Sequence, residues 1–358
     1  MSYTTSLDFS EVTPFGNNEG KNSKVFIAHD EQLGSDFIMK VIAKKDIYKD
    51  YNCNDASNLF NESKILYCVK HPNIMEIQHA SYDADNVCFV MPICKNGSIN
   101  SLIEQRYLTS REIIKYSLEF LSGLHYIHTK KLIHFDIKPT NILIDNNGKA
   151  ILTDFGLSKF VDAYGFAQPN KIYQTHKPPE GCDDYKFYTN LSDIYQAGVT
   201  IYRLCNGNVI YKKQYEGKTL GELEKNIKKG IFPDRKFYLP HISQQLRVII
   251  NKAMHINPDK RFQTVLDLMN KLSNIADNHI LDWRYETLAN IEKWSIINNN
   301  MTHLDQIVLE HVSDTEYRIT GFKKRLKDGN ITNHNTWKAC LKSLNDAYKT
   351  VEALIEEY

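Results

Sequence analysis

The chain has 358 residues, 42% hydrophobic and 24% charged, with a formal net charge of +1. That is enough apolar material for a large core and for more than one domain, and it excludes a general electrostatic pull toward nucleic acid or membrane. The cysteines Cys53, Cys68, Cys88, Cys94, Cys182, Cys205 and Cys340 form no CxxC pair. Their scatter argues against disulfide stapling and zinc ligation and predicts a reducing, cytoplasmic setting. The opening MSYTTSLDFSEVTPFG lacks the charged-then-apolar order of a signal peptide. No apolar run approaches the ~18 residues that a membrane span needs.

Residues 10–95 read as short strands with one helix. SKVFIAHD (23–30) and DFIMKVIAKK (36–45) are β-type runs around a glycine-containing turn. SNLFNESKILYCV (57–69) has helical spacing of Leu59, Ile65, Leu66 and Val69. IMEIQHASY and NVCFVMPI are two further strand candidates flanking DADN. From 96 to 275 the signal turns helical. LTSREIIKYSLEFLSGLHYIH opens with Thr109-x-x-Glu112, a capping box, followed by Ile114, Leu118, Leu121 and Leu124 on one face. NILIDNNGKAILTD reads as a hairpin turned at Asn147-Gly148. Residues 276–358 have a different texture and predict a small appended α/β module. There QIVLEHV and EYRITGF pair across Ser313-Asp314-Thr315, and the end is expected to be a helix with Trp337, Leu341, Leu344, Tyr348, Val351 and Ile355 on one stripe.

The stretch HFDIKPTNILIDNNGKAILTDFG (134–156) carries the chemistry. Phosphoryl transfer asks a protein for a positioned hydroxyl, neutralised phosphates and metal ions on hard oxygen ligands. Asp136 can orient a hydroxyl, Lys138 can reach the transferred phosphate, and Asn141 and Asp154 offer oxygens to a magnesium ion. The hairpin between Asn141 and Asp154 returns the chain so that both can face one site.

HFDIKPTN and DFG resemble the catalytic and magnesium loops of eukaryotic-type (Hanks-type) serine/threonine protein kinases. The resemblance spans about residues 10–275 and implies an α+β, bilobal protein kinase fold. A β-rich small lobe would cover 10–95, a helical large lobe 96–275, and an accessory module 276–358. FIMK implies Lys40 on the α- and β-phosphates of ATP, and NESKIL implies Glu62 as its helix partner. HPNI and MPICKNGS match the connection to the hinge, with Met91 as gatekeeper and backbone groups of Ile93 and Cys94 on adenine. Val25, Ile38 and Leu143 would sandwich that ring, although from the residues alone they are indistinguishable from core. PPE (178–180), SDIYQAG (192–198) and Arg261 imply a buried Glu180–Arg261 pair and an Asp193 brace on the catalytic loop. His134, Phe155, Leu66 and Ile77 read as packing. The implied cofactors are ATP with Mg2+, or Mn2+ in its place.

The chain departs from the family pattern in three places. In the glycine-rich loop only Gly20 is retained, with Asn18 and Ser23 at the flanking glycine positions. Phe135 replaces the arginine before the catalytic aspartate (a non-RD loop), so no buried cation waits for an activating phosphate. Tyr173 stands where such kinases carry a threonine against Asp136 and Lys138, and Thr175 is a substitute only if the loop shifts.

The expected function is ATP-dependent phosphorylation of serine or threonine in proteins, including the kinase itself. Two alternatives are a pseudokinase-like nucleotide-binding scaffold and a small-molecule phosphotransferase. Retention of the full polar set argues against the first, and the DFG–PPE segment against the second. The protein substrate is not specified by the sequence. Residues 276–358 could take a partner, and the basic run Lys323, Lys324, Arg325 and Lys327 reads as a solvated hairpin end rather than a nucleic-acid contact.

Overall fold

A computed structural model of the chain describes residues 9–14, 23–45, 70–169, 171–182 and 188–358. The first layer is an antiparallel sheet in the order β1 (Ser10–Pro14), β2 (Ser23–Asp30), β3 (Ser35–Ala43), β5 (Asn86–Pro92), β4 (His79–Tyr82). Val25 stands opposite Lys40 across β2–β3, and Ile38 opposite Met91 across β3–β5. Cross-strand partners, and residues two apart on one strand, share a face, so Val25, Ile38 and Lys40 lie side by side. The strand expected over 74–82 is shorter than its apolar run. Ile74 forms a bridge with Leu152, and the Met75 amide donates to the Leu152 carbonyl at 2.9 Å, so these residues are buried against another hairpin. The helix expected over 57–69, with Glu62 and Leu66, lies outside the described residues, as does Gly20.

The second lobe is helical. α1 (Ile99–Gln105) leads to α2 (Ser110–Thr129), whose predicted capping box is present: Thr109 accepts from the Glu112 amide while the Glu112 carboxylate accepts from the Thr109 amide. Leu121 and Leu124 are fully buried, as are Ile113, Phe120 and Ile127, whereas Ile114 and Leu118 sit at the edge of the stripe. β6 (Leu132–Ile133) pairs with β9 (Lys159–Phe160), and β7 (Ile142–Ile144) with β8 (Ala150–Leu152) in the expected hairpin. α3 (Asn190–Lys213), buried along most of its length, packs against α1, α2 and α5 (Gln244–Ala253), while α4 (Leu220–Lys228) packs on residues 174–182 and α6 (Val265–Ser273) on α2 and α5. Within α3, Gly207 has φ +75°, and a Cβ there would meet the Tyr107 ring at 2.7 Å. Glycine therefore suits both the backbone turn and the close approach of Tyr107.

Residues 284–356 form a five-stranded antiparallel meander, β10 (Arg284–Leu288), β11 (Ile291–Ile297), β12 (His303–Ser313), β13 (Glu316–Arg325) and β14 (Ile331–Leu341), followed by α7 (Leu344–Glu356). β12 and β13 pair as the sequence predicts. The expected long terminal helix needs correction, because Trp337 and Leu341 belong to β14 and only Leu344 onward is helical. A spacing of four residues fits one face of a strand as well as one face of a helix, so those two positions do not separate the periods.

One continuous core runs from the helical lobe into the meander, through Trp283, Tyr285, Trp294, Val351 and Ile355. Tyr285 is wedged between Tyr107 (4.6 Å between centroids, edge-on) and His241 (5.7 Å, stacked). Arg247 pairs with Glu352 at 2.9 Å, and Arg111 pairs with Asp277 and Asp282.

Candidate active site

Residues 134–141 leave β6 and are held from below by α3. Asp193 is fully buried, and its carboxylate accepts from the amides of His134 and Phe135, each at 2.8 Å, and lies 2.8 Å from His128 Nε2. Gln196, one turn further on the same helix face, accepts from the Ile137 amide at 3.0 Å and donates to the Phe135 carbonyl at 2.9 Å. Phe135 sits at φ +66°, a sparsely populated region for a side-chain-bearing residue that these bonds hold in place. Asp193 is the brace the resemblance implies. Gln196 and His128 are functional partners that the motif alone does not single out, although Asp193 and Gln196 at i, i+3 share a helix face.

That brace presents Asp136 in a defined posture. The residue is 6% exposed, and its Oδ2 accepts from Lys138 Nζ at 2.8 Å and from Asn141 Nδ2 at 2.7 Å. Its Oδ1 is buried with no hydrogen-bond partner among the described residues. Asn141 Nδ2 also donates to the Asp136 carbonyl at 2.9 Å, which directs the amide oxygen the other way. Asp154, at φ +63° after the β7–β8 hairpin, accepts from Lys40 Nζ at 3.0 Å. The ammonium beside it holds the Asp154 carboxyl down at about 2. Beneath, the rings of His134 and Phe155 lie 4.7 Å apart and Ile77 packs at the core edge, while Leu66 is outside the described residues. Burial lowers the His134 imidazole, and its Nε2 meets the Thr153 carbonyl at 3.1 Å, so it is a packing residue.

The structure thus brings Asp136, Lys138, Asn141, Asp154 and Lys40 together. On the sheet above, Val25 and Ile38 share the Lys40 face and are half-buried. Leu143 is half-buried between fully buried Ile142 and Ile144, so it points out of the core while bridging to Ser98 beyond the hinge. Ile93 and Cys94 follow β5 at the rim, where Asn146 accepts from the Lys95 amide at 3.0 Å. Burial raises the Cys94 thiol. Glu62 and Gly20 are not among the described residues.

Magnesium fits this donor set. Among the described residues no three His, Cys, Asp or Glu side chains gather into a metal cage. A magnesium ion carried by nucleotide phosphates needs only one or two protein oxygens, and the Asn141 amide oxygen and the Asp154 carboxylate are of that kind.

Beyond the site, Glu180 and Arg261 form a bidentate pair at 2.9 and 2.7 Å, with the Arg261 side chain fully buried. Tyr173 lies with its ring under Lys138, the ammonium 4.7 Å from the centroid. Thr175 does not take its place. That residue is 9% exposed, with its hydroxyl 3.2 Å from His176 Nδ1 and its carbonyl accepting from the Tyr211 hydroxyl at 2.5 Å.

The protein kinase domain family matches residues 15–272 of this chain. The chain is 31% identical over 175 residues to mitogen-activated protein kinase kinase kinase 1b of Physcomitrium patens, covering 49% of this chain and 23% of that protein. It is 26% identical over 251 residues to the ovarian-specific serine/threonine-protein kinase Lok of Drosophila melanogaster, covering 68% of this chain and 52% of that one. A mitogen-activated protein kinase kinase kinase 1 of Arabidopsis thaliana is 30% identical over 215 residues, 59% of this chain and 34% of the relative. The chain therefore spans between about a quarter and a half of the length of these relatives. With the bilobal fold and the match over most of its length, the chain belongs to the protein kinase family.

Proposed function

We propose that the protein transfers the γ-phosphate of ATP to serine or threonine hydroxyls of proteins, itself included, with Asp136 orienting the acceptor. The observation that carries this reading is the asymmetry of the Asp136 carboxylate. Lys138 and Asn141 hold Oδ2, while Oδ1 is buried with no partner among the described residues. A buried acceptor without a donor is costly, and a substrate hydroxyl donating to Oδ1 would supply one. Lys138 then stands beside the transferred group, where a cation offsets developing phosphate charge. Lys40 takes the α- and β-phosphates, and Val25, Ile38 and Leu143 enclose the adenine against the Ile93–Cys94 backbone. Magnesium, which Asn141 and Asp154 would hold, neutralises phosphate charge when bound. Serine and threonine are favoured over tyrosine by Lys138 in the catalytic loop and by the likeness to the serine/threonine-protein kinase Lok. A cytoplasmic setting is supported by the five described cysteines, all free thiols.

The test is transfer of labelled γ-phosphate from ATP to the protein itself and to a generic basic acceptor protein, comparing wild type with Asp136→Asn and Lys40→Ala. Loss of signal in both variants is expected, and phosphoamino-acid analysis should return serine or threonine. Equal signal in all three proteins would overturn the assignment.

A further inference from the structure

Lys138 is held from two sides, and only one of them belongs to the catalytic loop. On one side its ammonium meets Asp136 Oδ2 at 2.8 Å. On the other it lies over the ring of Tyr173, 4.7 Å from the centroid, within the range of a cation–π contact. The two contacts differ in kind. A carboxylate fixes a distance but lets a three-donor ammonium on a flexible stem swing around it, whereas an aromatic face restricts the direction of approach.

The ring is itself fixed. The Tyr173 carbonyl accepts from the His176 amide at 3.1 Å, closing a short turn over Gln174–His176. The Tyr211 hydroxyl of α3 anchors the middle of that turn by donating to the Thr175 carbonyl at 2.5 Å. His176 is 1% exposed and lies between the Tyr173 ring (5.7 Å) and the Tyr211 ring (6.0 Å). Burial keeps the His176 imidazole well below its usual value, so His176 does not compete as a cation with Lys138 for the Tyr173 ring. The Thr175 hydroxyl is turned inward against His176 Nδ1 and cannot reach Lys138 without opening the turn.

We propose that Tyr173 is a positioning residue for phosphoryl transfer, its ring face seating the Lys138 ammonium beside Asp136. The inference rests on the kinase reading above and adds a residue to it. It also explains how this chain manages with a tyrosine where a hydroxyl to Asp136 and Lys138 is expected. The aromatic face, not the phenol oxygen, does the positioning.

That distinction sets the experiment. Tyr173→Phe keeps the face and removes the hydroxyl; Tyr173→Leu keeps much of the volume and removes the face. Tyr173 is 46% exposed, so neither change opens the core, and thermal melting of both variants checks this. Transfer of labelled γ-phosphate to the protein itself and to a generic basic protein is measured for each full-length variant. Tyr173→Phe is expected within about twofold of wild type, while Tyr173→Leu loses about tenfold in kcat with the KM for ATP unchanged, the range a partly desolvated cation–π contact supports. A second readout needs no turnover. With 13C-labelled lysine, the Lys138 ε-methylene signal, assigned by its absence in Lys138→Arg, should lie upfield by ring current in wild type and Tyr173→Phe and move back in Tyr173→Leu.

Active wild type with an equally active Tyr173→Leu overturns this inference alone. So does a Tyr173→Phe as impaired as Tyr173→Leu, which would assign the role to the hydroxyl. A change confined to the KM of the acceptor protein would make Tyr173 a substrate contact and also overturn it. No transfer by wild type to any acceptor overturns the kinase reading and the positioning role with it.

Discussion

The ring of Phe135 meets the edge of Tyr188 at 5.7 Å between centroids, with the planes at 79°. Around this contact Ile133, Ala167 and Ile172 close a small apolar cluster, and Ala167 and Tyr188 are bridged backbone to backbone. The middle of the DFG–PPE activation segment (Ala167, Ile172) and Tyr188 just beyond it are thus tied to the catalytic loop by buried hydrocarbon at the place where an arginine would await a phosphate. Its hydroxyls match this arrangement. Ser158 is 4% exposed and donates to the His134 carbonyl, Thr175 is buried, and the exposed ones are Tyr164 and Tyr173.

Activity is accordingly expected to survive exhaustive phosphatase treatment, measured as transfer before and after, and its loss would contradict the apolar anchor. Phe135→Arg should lose several kcal/mol of stability in denaturant melts, because an unpaired guanidinium would be buried among apolar side chains.

Asp193→Ala should abolish transfer and cost about 3 kcal/mol or more, since the buried amides of His134 and Phe135 both lose their acceptor. The strained φ of Phe135 would then lack support. Asp193→Asn, which keeps an acceptor oxygen, should be the milder of the two in the same melts.

The accessory module is expected to unfold together with the large lobe. Tyr285→Ala would remove a ring packed against Tyr107 and His241 and one of the two hydroxyls on buried Glu292, so a loss of about 3–5 kcal/mol is expected. Glu352→Ala removes only a partly exposed partner of Arg247 and should cost about 1 kcal/mol or less. Chemical denaturation of both, followed by tryptophan fluorescence, checks the ranking. Truncation after residue 275 should give an aggregation-prone protein, because it would uncover Tyr107 and His241.

Stability should fall as pH drops from about 6.5 toward 4. Burial holds His241 neutral with its value down at about 4, and His134 and His176 are lowered by the same cause. An unfolded histidine takes its proton near 6.5, so between the two values the unfolded chain binds more protons and gains on the folded one. Each such group contributes at most about 1.4 kcal/mol per pH unit. His241→Phe should flatten the pH dependence of the melting midpoint by about one proton. At pH 7.5 it should cost about 1–3 kcal/mol, because the Leu108 carbonyl loses its His241 donor.

The sequence by itself determined the parts whose partners lie close along the chain. Asp136, Lys138 and Asn141 meet within six residues, Thr109 and Glu112 cap the helix they begin, and Gly148 turns the hairpin that carries Asp154 back. In such segments spacing and backbone preference leave few geometries. That Lys40 and Asp154, far apart in sequence, serve one site was legible only through family resemblance, which named Glu62 and not Asp154 as the partner of the lysine; their direct contact comes from the tertiary structure. Tertiary structure alone decided the rest. Nothing local to Tyr173 says that its ring will lie under Lys138, because the path of the turn is set by Tyr211 on a distant helix. Nor does a spacing of four at Trp337 and Leu341 choose strand over helix until β13 is there to pair with. Long-range contacts depend on where the whole chain runs, and adjacent residues carry little record of that.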